Sequence, residues 1–175
     1  MTITQAGQLI GSILQAYMQL PKFINSQGQE SDRIILKNEK FDAPKDGGIY
    51  ILIEYDGTAG VVGVNAHSDY TANEETMSMS SHEKFAIELR GFGQDATDRK
   101  NEVPMALKSS IAVRASEDNN CSIFLSGPAL DLSSIEGSSA LRRYRFPVIM
   151  SNIERKTVAE NMITEFPAPT IETEA

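Results

Sequence analysis

Ala140-Leu141-Arg142-Arg143-Tyr144-Arg145-Phe146-Pro147-Val148-Ile149-Met150-Ser151-Asn152-Ile153 reads as one long strand. Tyr144, Phe146, Val148 and Met150 recur at every second position, with Arg143, Arg145 and Ser151 on the alternate ones. A period of two sends the two sets to opposite faces of a strand, one apolar and one basic. Pro147 has no N–H to give to a ladder, which predicts that this strand lies at a sheet edge or bulges near that residue. After Lys156 the character of the chain changes. Residues 157–175 hold no Lys or Arg, carry Glu160, Glu165, Glu172 and Glu174, and include Phe166-Pro167-Ala168-Pro169. The sequence therefore reads as one domain, 1–156, followed by an extended C-terminal arm, 157–175.

Working back from this strand, Thr76 to Arg90 alternates in the same way. Met77, Met79, Phe85, Ile87 and Leu89 are odd, and Ser78, Ser80, His82, Lys84, Glu88 and Arg90 are even. That is a half-buried antiparallel strand. Ser81 and Glu83 interrupt its apolar face and predict a bulge or an exposed extension there. Ile49 to Tyr55 is apolar on both faces, as a covered central strand is. Asp56-Gly57 reads as a turn, with Val61 to Asn65 pairing back after it. Short strands are predicted at Arg33–Lys37, Cys121–Leu125 and Leu130–Leu132.

Two helices complete the pattern. In residues 3–20, Ile3, Ala6, Leu9, Ile10, Ile13, Leu14, Tyr17 and Leu20 form one stripe. Thr2 with Gln5 is a capping box, and Pro21 is the stop. A second helix starts at Asp95 or Asp98 and runs to about Ala115, with Val103, Leu107, Ile111 and Arg114 inward. Pro104 either kinks it or stands in the first turn of a shorter helix starting near Glu102. Strands in blocks with helices between predict an α+β fold, a mainly antiparallel sheet with two helices on one face.

Composition narrows the function. The chain has 175 residues, 41% of them hydrophobic, and a net charge of −8. The length suits one domain and the apolar content a real core. The acidic balance opposes general nucleic-acid affinity, which needs clustered cations, and suits a surface past which DNA slides. The lone Cys121 cannot form an internal disulfide and has no CxxC partner. No run approaches a membrane span, and the N-terminus lacks the basic-then-apolar signature of a secretory signal. A soluble protein of a reducing compartment is expected.

Catalytic patterns are sparse. His67-Ser68-Asp69 places three relay-type residues in a row, but neighbours in extended chain point to opposite faces. His67 and Asp69 offer two metal ligands with nothing to complete a set. Gly91-Phe92-Gly93 does not extend to a dinucleotide fingerprint. No cofactor is expected. Arg142, Arg143, Arg145, Arg155 and Lys156 form the main basic cluster. It reads as a solvated strand face or as salt-bridge donors to a neighbouring subunit, and less well as a nucleic-acid groove.

Taken together, the leading amphipathic helix, Gly47-Gly48-Ile49-Tyr50-Ile51-Leu52-Ile53-Glu54-Tyr55, the strand ending Phe85 to Gly93, the helix after it, and Gly127 to Ser133 before Ala140 to Ser151 resemble the tail-terminator or neck proteins of tailed bacteriophages. The resemblance covers residues 3–156 and rests on element order. It implies a non-catalytic ring of six subunits at the head–tail neck. One face would stack on the tail tube and the other would meet connector proteins, with DNA passing through the lumen without specific binding. The site would be the virion, assembled in the host cytoplasm. On this reading Arg142, Arg143, Arg145, Arg155, Val158, Met162, Phe166 and Ile171 are the candidate subunit-interface residues. Other readings are a head–tail adaptor, a tail-tube subunit, a small acidic binding module, or an enzyme centred on His67, Asp69 and His82.

Overall fold

The computed structural model describes residues 1–37, 43–69, 74–136 and 139–159. The first helix, α1 (Ile3–Met18), begins on the predicted capping box. Thr2 Oγ1 accepts from the Gln5 N–H at 3.2 Å, and Gln5 Oε1 accepts from the Thr2 N–H at 2.8 Å. Gln19 ends the helix in the left-handed region, φ 49°. Ala6, Ile10, Ile13, Leu14 and Met18 are buried, whereas Ile3 and Tyr17, expected on the stripe, are largely exposed at its flank. A small antiparallel pair follows, β1 (Phe23–Ile24) with β2 (Glu30–Ser31). Next come β3 (Ile34–Leu36), β4 (Tyr50–Asp69) and β5 (Glu74–Phe92). Arg33, almost fully buried, ties these parts together. It donates to Pro21 O at 2.7 Å, pairs with Asp46, and lies 5.5 Å from the Phe23 ring centre.

The predicted second helix is three short ones, α2 (Asp95–Arg99), α3 (Glu102–Leu107) and α4 (Ser110–Asp118). Pro104 falls in the first turn of α3, where no intrahelical N–H is required. Ser109 starts α4 by accepting from the Ala112 N–H at 3.3 Å. That restart re-phases the inner face. Val103 and Leu107 are buried as predicted, but Ala112 replaces Ile111, which is 38% exposed.

The remaining strands are β6 (Cys121–Leu125), β7 (Leu130–Asp131), β8 (Ser134–Glu136) and β9 (Ser139–Ala159). The main sheet runs β3-β4-β5-β9-β6, with β7 and β8 also paired to β9. Among the described residues every pairing is antiparallel except β3 with β4. One core joins Ile10 and Leu14 of α1, Ala96 of α2 and Val103 of α3 to Ile51, Ile53, Phe85, Ile87, Leu89, Tyr144, Phe146, Val148 and Met150 of the sheet. The fold is α+β, as the blocked order of strands and helices predicts.

Three features differ from the sequence reading. First, Asp56-Gly57 is not a turn. β4 continues through it to Asp69, with register shifts between Tyr55 and Gly57, Thr58 and Gly60, and Val61 and Gly63. These bulges lie opposite Ser80–Lys84, the region where a bulge was expected in β5. The irregularity sits instead on the glycine-bearing partner, because glycine accepts the unusual backbone; Gly57 has φ +107°. Second, β9 is an interior strand despite Pro147. Pro147 O accepts from the Ser126 N–H at 2.9 Å, so its missing N–H faces the same side, where β6 has ended and β7 has not begun. The ladder is interrupted where proline could not have joined it. Third, β9 does not end at Ile153 but stays paired through Ala159, three residues past Lys156.

This last feature creates a ribbon. The core ends at Phe85 in β5 and Met150 in β9. Beyond the Ser81–Asn152 pair, seven further β5–β9 pairs run to Glu74–Ala159, flanked by Gly63–Asp69 of β4. At about 3.3 Å per residue they reach roughly 23 Å past the helix layer.

Candidate interaction surface

Alternation leaves a second face on the sheet. With Ile51, Ile53, Phe85, Ile87, Leu89 and the even β9 residues turned to the helices, Leu52, Glu54, Ala86, Glu88, Arg90, Arg143 and Arg145 turn the other way. Near β3 this face is closed by a small apolar cluster of Ile35, Tyr50 and Leu52. That accounts for the apolar character of Ile49–Ile53 on both sides. Further along it is built of charge.

Glu88 is the centre of that lattice, its side chain only 6% exposed. Arg143 Nε donates to one carboxylate oxygen at 2.6 Å and Arg90 Nη2 to the other at 2.8 Å. Burial alone would raise the Glu88 pKa. The hydrogen bonds and charges of the two guanidinium groups outweigh it and hold the carboxyl below the ordinary glutamate value. A second cluster adjoins it. Arg145 bridges Glu54 at 3.3 Å and Asp56 at 3.1 Å, and Lys37 pairs with the other Glu54 oxygen. Arg90 Nε is buried with no acceptor. Where the bulges begin, Tyr55 donates to Glu83 at 2.7 Å, and burial together with that carboxylate pushes its hydroxyl up to about 12.

Around the lattice stand exposed apolar side chains. Leu130 and Leu132 flank Arg145 and Arg143, Phe92 pairs with Leu141, and Phe124 lies edge-on to His82 at 6.1 Å. Lys84 is also exposed on this face. Lys37, Lys84, Arg90, Arg143 and Arg145 meet Glu54, Asp56 and Glu88, so the described part of the face between β3 and β7 holds a surplus of two positive charges. A chain of net charge −8 has concentrated cations on one sheet face. Arginine beside exposed aromatic and aliphatic groups is the composition of contact surfaces.

The structure brings together only part of the predicted interface. Arg143 and Arg145 share this face, and their carboxylate partners are in their own chain. Arg142 is on the helix side. It adds to the effect of Ser133, which first lowers the Asp131 carboxyl by hydrogen bonding. Arg155 and Val158 are ribbon positions of β9, in register with Ser78 and Glu75. The Arg155, Lys156 and Val158 side chains, and Met162, Phe166 and Ile171 altogether, lie outside the described residues. The alternative catalytic set is not drawn together either. The His67 backbone pairs with Thr76, six residues along β5 from His82, or roughly 20 Å. Among the described residues no group of three or more His, Cys, Asp or Glu could hold a metal ion, and no helix is long and apolar enough to cross a membrane.

Sequence reasoning passed over Glu54, Asp56, Glu88 and Arg90. A signal for two of them was present, because Glu88 and Arg90 sit on the polar side of the alternating strand. Its meaning needed the β5–β9 register. No protein-family model matches the sequence, and a search of curated proteins returns no match.

Proposed function

We propose that this chain is a non-catalytic virion subunit that forms a closed ring at the head–tail neck of a tailed phage. There it would end the tail tube and meet the connector proteins, with DNA passing through the lumen. The supporting observation is the ribbon. Beyond Ile53 the outer side of β4, and beyond Asn152 the outer side of β9, have no strand partner among the described residues. Long exposed edges invite pairing with another chain, and soluble monomers usually shorten, charge or cover them. Head-to-tail contacts that return on themselves after a whole number of copies give a ring. The order of elements along the fold, helix, long paired strands, helices, then the β6–β9 block, is the order on which the phage resemblance rests. The acidic balance suits a wall along which a polyanion slides.

The test is native mass spectrometry with negative-stain imaging of the purified full chain. A single closed ring, six subunits on this reading, is expected. Long tubes would favour a tail-tube subunit, and a monomer at working concentration would overturn the proposal.

A further inference from the structure

Resting on the ring reading, the charge and geometry of the second sheet face point to its occupant. We propose that residues 160–171 of one copy lie across this face of an adjacent copy. Glu160 and Glu165 would pair with the arginines of the Glu88 lattice, and Met162, Phe166 and Ile171 would rest on Leu130, Leu132 and Phe92.

Complementarity is the first argument. The receiving face has two surplus cations and arginines 23% to 31% exposed on their side chains. Its apolar rim is open, Leu130 at 48%, Leu132 at 40% and Phe92 at 40%. The segment Glu160-Asn161-Met162-Ile163-Thr164-Glu165-Phe166 and the Ile171 beyond it interleave carboxylates with large apolar side chains and contain no cation. Acidic segments with apolar anchors suit arginine-rich faces, where charge sets register and orientation.

Reach is the second argument, and it decides between the same copy and a neighbour. β9 runs outward along the ribbon, and Ala159, the last described residue, lies fourteen residues beyond Arg145. That is roughly 46 Å of strand. Phe166, seven residues past Ala159, can come back at most about 25 Å, and Ile171 at most about 43 Å. Phe166 therefore cannot reach the arginines of its own chain, and Ile171 could do so only with every intervening residue fully extended. A ribbon laid against a neighbour delivers both without reversal.

The test uses the full chain with Phe166 replaced by the photo-crosslinking residue p-benzoylphenylalanine. Isotopically light and heavy chains are mixed before assembly, irradiated, digested and analysed by mass spectrometry. Crosslinks from position 166 into residues 124–145 that join light to heavy peptides are expected. Glu160→Gln combined with Glu165→Gln should lower their yield about five-fold, as two surface ion pairs would. Crosslinks confined to one isotope, or landing on the helix layer or ribbon, would overturn the docking, and an unchanged yield in the double variant would overturn its charge pairing. Native mass on the same sample separates the two proposals. A ring whose crosslinks fall elsewhere defeats this inference alone, and a monomer without them defeats both.

Discussion

At the scale of single residues, the informative position is Glu88. A carboxylate this buried survives in ionised form because two guanidinium groups supply both charge and hydrogen bonds. Glu88→Gln keeps the shape but leaves Arg90 and Arg143 without their counter-charge. We expect a loss of about 2 kcal/mol in urea unfolding, below the cost for a fully buried pair because both arginines are partly solvated. The pH dependence has a definite sign. The folded Glu88 pKa lies below its unfolded value, so its contribution is whole above the ordinary glutamate range and disappears as pH falls through the folded value. Between about pH 7 and about pH 3 the wild type should lose more stability than Glu88→Gln, read from unfolding midpoints. Parallel loss in both proteins would remove Glu88 from the account. None of this was readable from composition. Glu88 looked like an ordinary solvated residue until pairing with β9 put Arg143 beside it.

At the scale of elements, local chemistry was decisive where it was self-contained. The Thr2–Gln5 box, the α1 stripe and the alternation of β5 and β9 all depend on residues a few positions apart, and they appear in the fold apart from Ile3, Tyr17 and Met77, which are exposed. Thr2→Ala should destabilise the protein by about 1 kcal/mol in denaturant unfolding, with Thr2→Ser restoring most of it. A null effect would mean that packing against β5 and β9, not the cap, holds the first turn. Element readings missed where one local signal had two tertiary uses. Asp56-Gly57 is equally good as a turn and as a bulge. The continuous β5–β9 ladder chose the bulge by holding β4 in extended pairing to Asp69. Pro147 forbade one hydrogen bond, but only the sheet could show that the gap between β6 and β7 met that condition without moving β9 to an edge.

At the scale of the whole molecule, two features ask for partners, the ribbon and the sheet face beneath it. Cutting the chain after Ala159, rather than at residue 157, respects the last paired residues of β9. Removal of 160–175 should leave thermal unfolding of the domain within about 2 °C of the intact chain. It should weaken self-association by about ten-fold or more in sedimentation analysis. Equal assembly by the shortened chain would exclude a role for that segment between subunits.

The class of fold, the first helix and its cap, and the apolar faces of the long strands could be read from the sequence, whereas Pro104 left a kink and a restart near Glu102 both open. The legible features follow from side-chain period or capping chemistry within a few residues. Tertiary structure alone decided the course of β4 through Asp56-Gly57, the interior place of β9, the reach of the ribbon, and the joining of Glu54, Asp56 and Glu88 to Arg143 and Arg145. Those depend on register between strands far apart in the chain. A one-residue slip in register sends a side chain to the other face, and single-strand periodicity carries no information about which partner will set it.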